Sequence, residues 1–87
     1  MSTAYVYILR SRKDKKLYVG YTTNLKNRLI KHGYGKVIAT RNRRPLELVY
    51  SEKWESKEVA RNREKYLKSL HGYREKYRLI KNFRGAK

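Results

Sequence analysis

The strongest constraint on how this chain folds is a pair of short runs near its start. Ala-Tyr-Val-Tyr-Ile-Leu-Arg at 4–10 and Leu-Tyr-Val-Gly-Tyr-Thr at 17–22 are both dense in β-branched and aromatic residues. A polar segment containing Lys13-Asp14-Lys15-Lys16 separates them, so they read as a hairpin. Strand side chains alternate between faces, which puts Tyr5, Tyr7 and Leu9 on one face with Tyr18 and Gly20. Val6, Ile8, Leu17, Val19 and Tyr21 fall on the other, enough for one side of a core. Gly20 beside Tyr7 is expected to leave a gap where a phosphate or another backbone could approach, or else to mark a bulge or a turn.

Directly after the hairpin the period changes. Thr22, Thr23 or Asn24 can cap a helix over 24–33 whose apolar positions are Leu25, Leu29 and Ile30, with Gly33 and Gly35 ending it. Arg28 and His32, spaced i, i+4, share one helix face at the edge of that apolar stripe. They can converge on a single anion, or belong to a solvated basic face together with Lys26 and Lys31. Residues 36–45 form a basic loop whose Arg41, Arg43 and Arg44 suit backbone phosphates or simply solvent. Leu46–Ser51 alternates as a third strand.

From Ser56 onward the pattern is helical, with one stripe of Val59, Ala60, Tyr66, Leu67 and Leu70 and, after the break at His71-Gly72, another of Tyr73, Tyr77, Ile80 and Phe83. The aromatics of the last helix either close the core, their simpler use, or offer a stacking surface to single strands. Glu64 lies on or beside the first of these stripes, where a carboxylate is costly unless paired with a neighbour such as Arg61, Arg63, Lys65 or Lys68, or bound to a metal. His71 has no evident partner, and a basic tail ends the chain.

With 87 residues the chain has room for one domain spanning 1–87, with a thin core; a fold of this size buries only about 60–65% of its unfolded surface. Its 24 Lys and Arg against 7 Asp and Glu give a net charge of +17, a strong self-repulsion that a polyanion relieves. Nucleic acid is the natural partner. An anionic membrane surface would also attract this charge, but no apolar run approaches the roughly 18–20 residues of a membrane span, and nucleic acid rather than a membrane is the expected partner. Cysteine is absent, which excludes disulfides, thiolate zinc sites and a thiol nucleophile. The opening Met-Ser-Thr-Ala lacks the apolar core of a secretory signal, and a cytoplasmic protein is expected. Nothing in the pattern calls for an obligate protein partner.

The succession Tyr5-Val6-Tyr7, Tyr18-Val19-Gly20, Arg28, His32 and finally Glu64 resembles the GIY-YIG nuclease domain, in particular its small free-standing members, over nearly the whole chain. The stretch from Tyr18 to His32 is similar to that family's strand and helix, and Glu58 to Lys68 to its metal-binding helix. Tyr-Val-Tyr stands where Gly-Ile-Tyr is usual, and the 87 residues hold no accessory DNA-binding domain of the kind larger members use to choose targets. The resemblance implies an α+β fold, a three-stranded, mainly antiparallel sheet flanked by three helices. It also implies a metal-dependent endonuclease acting on DNA, with RNA as the other candidate, in repair or recombination.

By the same resemblance Tyr18 is the general base, Tyr7 positions the water or scissile phosphate, and Arg28 holds the non-bridging oxygens. His32 assists proton transfer, and Glu64 anchors a single Mg²⁺ or Mn²⁺ near the leaving group. One carboxylate cannot enclose such an ion, so waters and substrate phosphate must complete its shell. A free tyrosine is only about 0.3% phenolate near pH 7.5, so a tyrosine base needs a cationic setting. Two other classes fit the charge: a nucleic-acid-binding protein of the same fold without useful activity, and a ribosome-associated basic protein.

Overall fold

A computed structural model describes residues 3–83; the basic tail and the first two residues lie outside the described part. Strands β1 (Ala4–Ser11) and β2 (Leu17–Thr22) form the expected hairpin, followed by helix α1 (Leu25–Gly33). A single 3₁₀ turn at Arg41–Arg43 leads into strand β3 (Leu46–Trp54), and helices α2 (Lys57–Lys68) and α3 (Tyr73–Asn82) follow. The sheet order is β2-β1-β3, and both pairings are antiparallel. Asn24 caps α1 by accepting from the Asn27 amide at 3.0 Å, and Ser56 caps α2.

The hairpin register sets Tyr7 opposite Gly20, Leu9 opposite Tyr18, Val6 opposite Tyr21 and Ile8 opposite Val19, so the two faces are those expected from alternation. The back face carries the main core, in which Ala4, Val6, Ile8, Val19 and Val49 pack against Ala60 and Leu67 of α2, with Leu79 and Ile80 of α3 beside them. α1 lies on the front face.

β3 serves both faces because its pairing with β1 shifts by one residue between Ile8 and Leu9, a bulge at Val49. Tyr50 stands opposite Ile8 on the back, whereas Leu48 and Leu46 stand opposite Leu9 and Ser11 on the front. There Leu46 and Leu48 line a small front-face cavity together with Leu9, Leu29 and His32. β3 also runs past the expected Ser51. Glu52, on the back face, accepts hydrogen bonds from the Tyr50 hydroxyl, Trp54 Nε1 at 2.6 Å and Arg63 Nε at 2.8 Å, which lets a charged residue sit inside the strand.

The stripes expected for α2 and α3 need correction. Val59, Tyr66 and Leu70 are exposed, and Ala60 and Leu67 alone of that stripe are buried. The inward positions between them belong to Arg63, paired with Glu52 and Glu75, and to Glu64. On α3 the residues facing the core are Leu79 and Ile80, with Phe83 edge-on to Tyr50, while Tyr73 and Tyr77 stand outside. Gly72, at the N-terminus of α3, is pressed against the Tyr66 carbonyl and the Leu67 backbone, where no side chain fits.

Candidate active site

Three aromatic rings form the centre of the front face. Tyr7 and Tyr18, diagonal neighbours across the hairpin, have ring centroids 6.4 Å apart. The imidazole of His32, delivered by α1, lies 5.6 Å from the Tyr7 ring and 5.3 Å from that of Tyr18. Gly20 makes this possible. A Cβ there would fall 2.5 Å from the Tyr7 hydroxyl oxygen and 3.1 Å from the Tyr18 ring, so the space expected for a phosphate is filled by the Tyr7 phenol. No bulge interrupts β1 and β2 at this point.

Tyr7 and His32 are buried, 0% and 1% exposed, and joined by a 2.8 Å hydrogen bond between the phenol oxygen and Nε2. His32 is therefore not one member of a solvated basic face. Its Nδ1 lies 2.8 Å from Oγ1 of Thr40, which is also fully buried. Two tautomers fit this chain: with the ring proton on Nε2 the Thr40 hydroxyl donates to Nδ1, and with it on Nδ1 the Tyr7 hydroxyl donates to Nε2. The Tyr7 oxygen also accepts a long 3.4 Å bond from Arg28 Nε.

Electrostatics agree with a neutral pair. Burial pushes Tyr7 up to about 12, partly offset by the hydrogen bond from Arg28, with Tyr18 and Glu64 adding to the rise. Burial, reinforced by the positive charge of Arg28, pushes His32 down to about 4. Arg28 itself is held above its ordinary value, first by the bond to Tyr7.

Tyr18 and Arg28 are the partly exposed members of the group. Arg28 opens onto a groove of about 410 Å³ lined also by Tyr21, Thr22, Thr23 and Lys57. α2 crosses β1 and reaches the β2 edge, where the Lys68 ammonium sits 5.8 Å from the centroid of the Tyr18 ring. Glu64, with its side chain 16% exposed, is bonded to Lys68 at 2.9 Å and is close enough to Tyr7 to act on its proton affinity. Both readings of Glu64 are thus present in one place: it has an ion-pair partner, and it faces the tyrosine cluster.

Among the described residues no three His, Cys, Asp or Glu side chains group to hold a metal, so a preformed metal cage is absent there. Glu64 offers one hard carboxylate, which suits a magnesium-like ion that keeps its waters and takes further oxygens from a substrate phosphate.

The basic loop splits by function. Arg43 Nε pairs with Asp14 at 3.2 Å, and Arg44 donates to the carbonyls of Arg41 at 3.0 Å and Gly33 at 3.3 Å while packing against Gly35, whose φ is +75°. Of the three, Arg41 alone has its guanidinium unengaged among the described residues. Ser11 pins this loop to the sheet by donating to the Arg43 carbonyl at 2.6 Å. Thr40 was missed by sequence reasoning, and nothing in the run Val37-Ile38-Ala39-Thr40 marks it off from its neighbours.

Residues 3–78 match the family model described as the GIY-YIG catalytic domain. A UPF0213 protein of Natronomonas pharaonis is 48% identical over 67 residues, 76% of this chain and 78% of that protein. A UPF0213 protein of Oceanobacillus iheyensis is 47% identical over 77 residues, 87% of each chain. The solution NMR structure of a UPF0213 protein from Bacillus halodurans superposes with a TM-score of 0.59 at 39% identity, covering 95% of this chain and 87% of that one. No described helix is long and apolar enough to cross a membrane. The tyrosine, arginine and histidine cluster, the sheet that carries it and these likenesses agree: the chain belongs to the GIY-YIG catalytic domain family, a nuclease superfamily.

Proposed function

We propose that residues 1–87 act as one endonuclease domain that hydrolyses DNA phosphodiester bonds with a single Mg²⁺ or Mn²⁺, on structured or damaged DNA in repair or recombination. The observation that carries this reading is the division of the cluster into a buried, neutral Tyr7–His32–Thr40 chain and an accessible pair, Tyr18 and Arg28. A plain binding face has no use for a partly exposed phenol and guanidinium gathered over such a chain with a carboxylate, Glu64, beside them.

In this reading Arg28 binds the non-bridging oxygens of the scissile phosphate, and its groove with Thr22, Thr23 and Lys57 guides the flanking backbone. Tyr18 takes the proton of the attacking water. Tyr7, held by His32 and bonded to Arg28, positions the water or the scissile phosphate by fixing the guanidinium that meets it. His32 stays neutral and orients Tyr7, a narrower task than the proton transfer inferred from resemblance. Glu64 would hold the divalent ion, which supplies charge neutralisation for the departing 3′ oxygen. Arg41 contributes to phosphate binding away from the cut.

The test is a cleavage assay with Mg²⁺ or Mn²⁺ on duplex, single-stranded, nicked and branched DNA, comparing the wild type with Glu64→Ala and measuring binding alongside. Cutting by the wild type, with binding but no cutting by the variant, supports the nuclease. The Glu64–Lys68 ion pair favours a second reading, a nucleic-acid-binding protein without activity, and equal binding with no cutting by either protein would select it. Binding should weaken with salt along a log–log slope of about −4 to −5, for about four to six neutralised phosphates. A flat salt response would remove nucleic acid as the substrate.

A further inference from the structure

α3 presents a surface that the candidate chemistry leaves unused. Tyr73 and Tyr77, one turn apart, are 55% and 50% exposed, although the core is close enough to take Ile80 from the same helix. Their rings meet edge to face with centroids 5.2 Å apart, and the Lys76 ammonium lies 5.6 Å from the Tyr73 ring centroid. Tyr77 and Ile80 form one wall of a cleft of about 580 Å³. Arg10, Arg12 and Lys15, from the end of β1 and the turn after it, belong to its lining. Glu47, 3.5 Å from Arg10 and 3.9 Å from Arg12, is the single acid in that lining, so the cleft keeps a positive balance.

The position of the cleft separates it from the reaction. Arg10 alternates with Ile8, Val6 and Ala4 on the back of the sheet, whereas Tyr7, Tyr18 and His32 occupy the front. A strand held here is not the one whose phosphate lies at Arg28. The chemistry of the lining then selects the state of that strand. A duplex offers the cleft only phosphates, because its base faces are stacked on one another, and lysine and arginine alone would serve it. The half-exposed phenol ring of Tyr77, with Tyr73 edge-on to it outside the cleft, beside guanidinium and ammonium groups instead matches a backbone with its bases free to stack.

We propose that the cleft between α3 and the β1 end binds an unpaired nucleic-acid strand, with a base against Tyr77 and its phosphates on Arg12 and Lys15. It rests on the reading of this chain as a protein that acts on nucleic acid, and it adds to that reading a substrate class. A DNA that supplies a paired segment to the front face and a single-stranded arm to the back fits both sites at once.

The experiment measures binding, without divalent metal, of a fluorescent 12-residue oligothymidylate and of an abasic oligodeoxyribose phosphate with the same number of phosphates, with a DNA duplex as a third probe. The proteins are the wild type, Tyr77→Ala, Tyr77→Phe and the double variant Tyr73→Ala/Tyr77→Ala, each checked for native circular dichroism. The wild type should prefer the oligothymidylate by about 10-fold, the value expected for one well-stacked base. Tyr77→Phe should keep that preference, and Tyr77→Ala and the double variant should bring it close to one while leaving the affinity for the abasic strand unchanged. Equal wild-type binding of the two strands, or a preference that survives in the double variant, overturns the proposal while leaving duplex binding and the nuclease reading intact. Failure of the wild type to bind either strand or a duplex overturns both.

Discussion

Replacing Thr40 with valine removes one buried hydroxyl and nothing else of consequence, since the two side chains have nearly the same volume. In the wild type the hydroxyl is hydrogen-bonded to His32 Nδ1, 2.8 Å away, in a place that no solvent reaches. Valine leaves Nδ1 with no partner and no water, at a cost of about 1–3 kcal/mol for an unsatisfied buried polar atom. For a chain of this length that corresponds to a fall in Tm of roughly 5–20 °C. The tautomer is the sharper readout. Imidazole ¹⁵N shifts report which ring nitrogen carries the proton, and Thr40→Ser should retain the wild-type pattern with most of the stability. In Thr40→Val the Nδ1 resonance should move as its hydrogen bond is lost, and cleavage should fall further than the melting curve alone explains, because Tyr7 loses its fixed orientation. A Thr40→Val protein as stable as the wild type, or one whose Nδ1 resonance does not move, would refute the buried hydrogen bond between Thr40 and His32.

Because burial holds His32 near 4 against an ordinary 6.5, its contribution to stability is complete above pH 6.5 and is lost as pH falls toward 4, on the order of 3 kcal/mol in all. Urea unfolding at pH 7 and 4.5 should show most of this loss, and His32→Gln should lack it; parallel slopes for the two proteins would contradict it. Gly20→Ala places a methyl 2.5 Å from the Tyr7 oxygen, so we expect about 1–3 kcal/mol of destabilisation and about 100-fold slower cleavage from a displaced phenol. Normal activity in that variant would mean that the Tyr7 position is not critical. Glu52→Ala strips Tyr50, Trp54 and Arg63 of their common acceptor and should cost about 3 kcal/mol in urea unfolding with no direct effect on the front face.

The hairpin and its two faces were legible because a period of two leaves little freedom once one face is aliphatic: Tyr7 and Tyr18 had to share the other with Gly20. Helical spacing put Arg28 and His32 on one face but left open whether that face met the tyrosines or the solvent, and only the family resemblance favoured the tyrosines. Hydropathy failed on α2 and α3, where it assigned Tyr66, Tyr73 and Tyr77 to the interior while Arg63 and Glu64 took inward positions. A side chain with an acceptor within reach outranks its hydropathy, and that acceptor, Glu52, is eleven residues away on another element. Thr40 was invisible for a related reason. It reaches His32 through an irregular loop that has no period, and the anchors that set the loop, Ser11 on the Arg43 carbonyl and Arg44 on that of Gly33, are contacts between distant parts of the chain.

The enclosure of Tyr7 and His32 also bears on how relatives of this chain are to be sorted. Side chains with no solvent contact are held in place by what the fold needs, and a descendant that gave up its chemistry would still have to fill the space they occupy. Their presence in a related sequence is therefore testimony about architecture. Tyr18, Arg28 and Glu64 stand at the rim, where substitution has small consequences for packing, and they can be surrendered without disturbing the body. A working enzyme and a retired one would look alike at the centre of this site and differ at its edge.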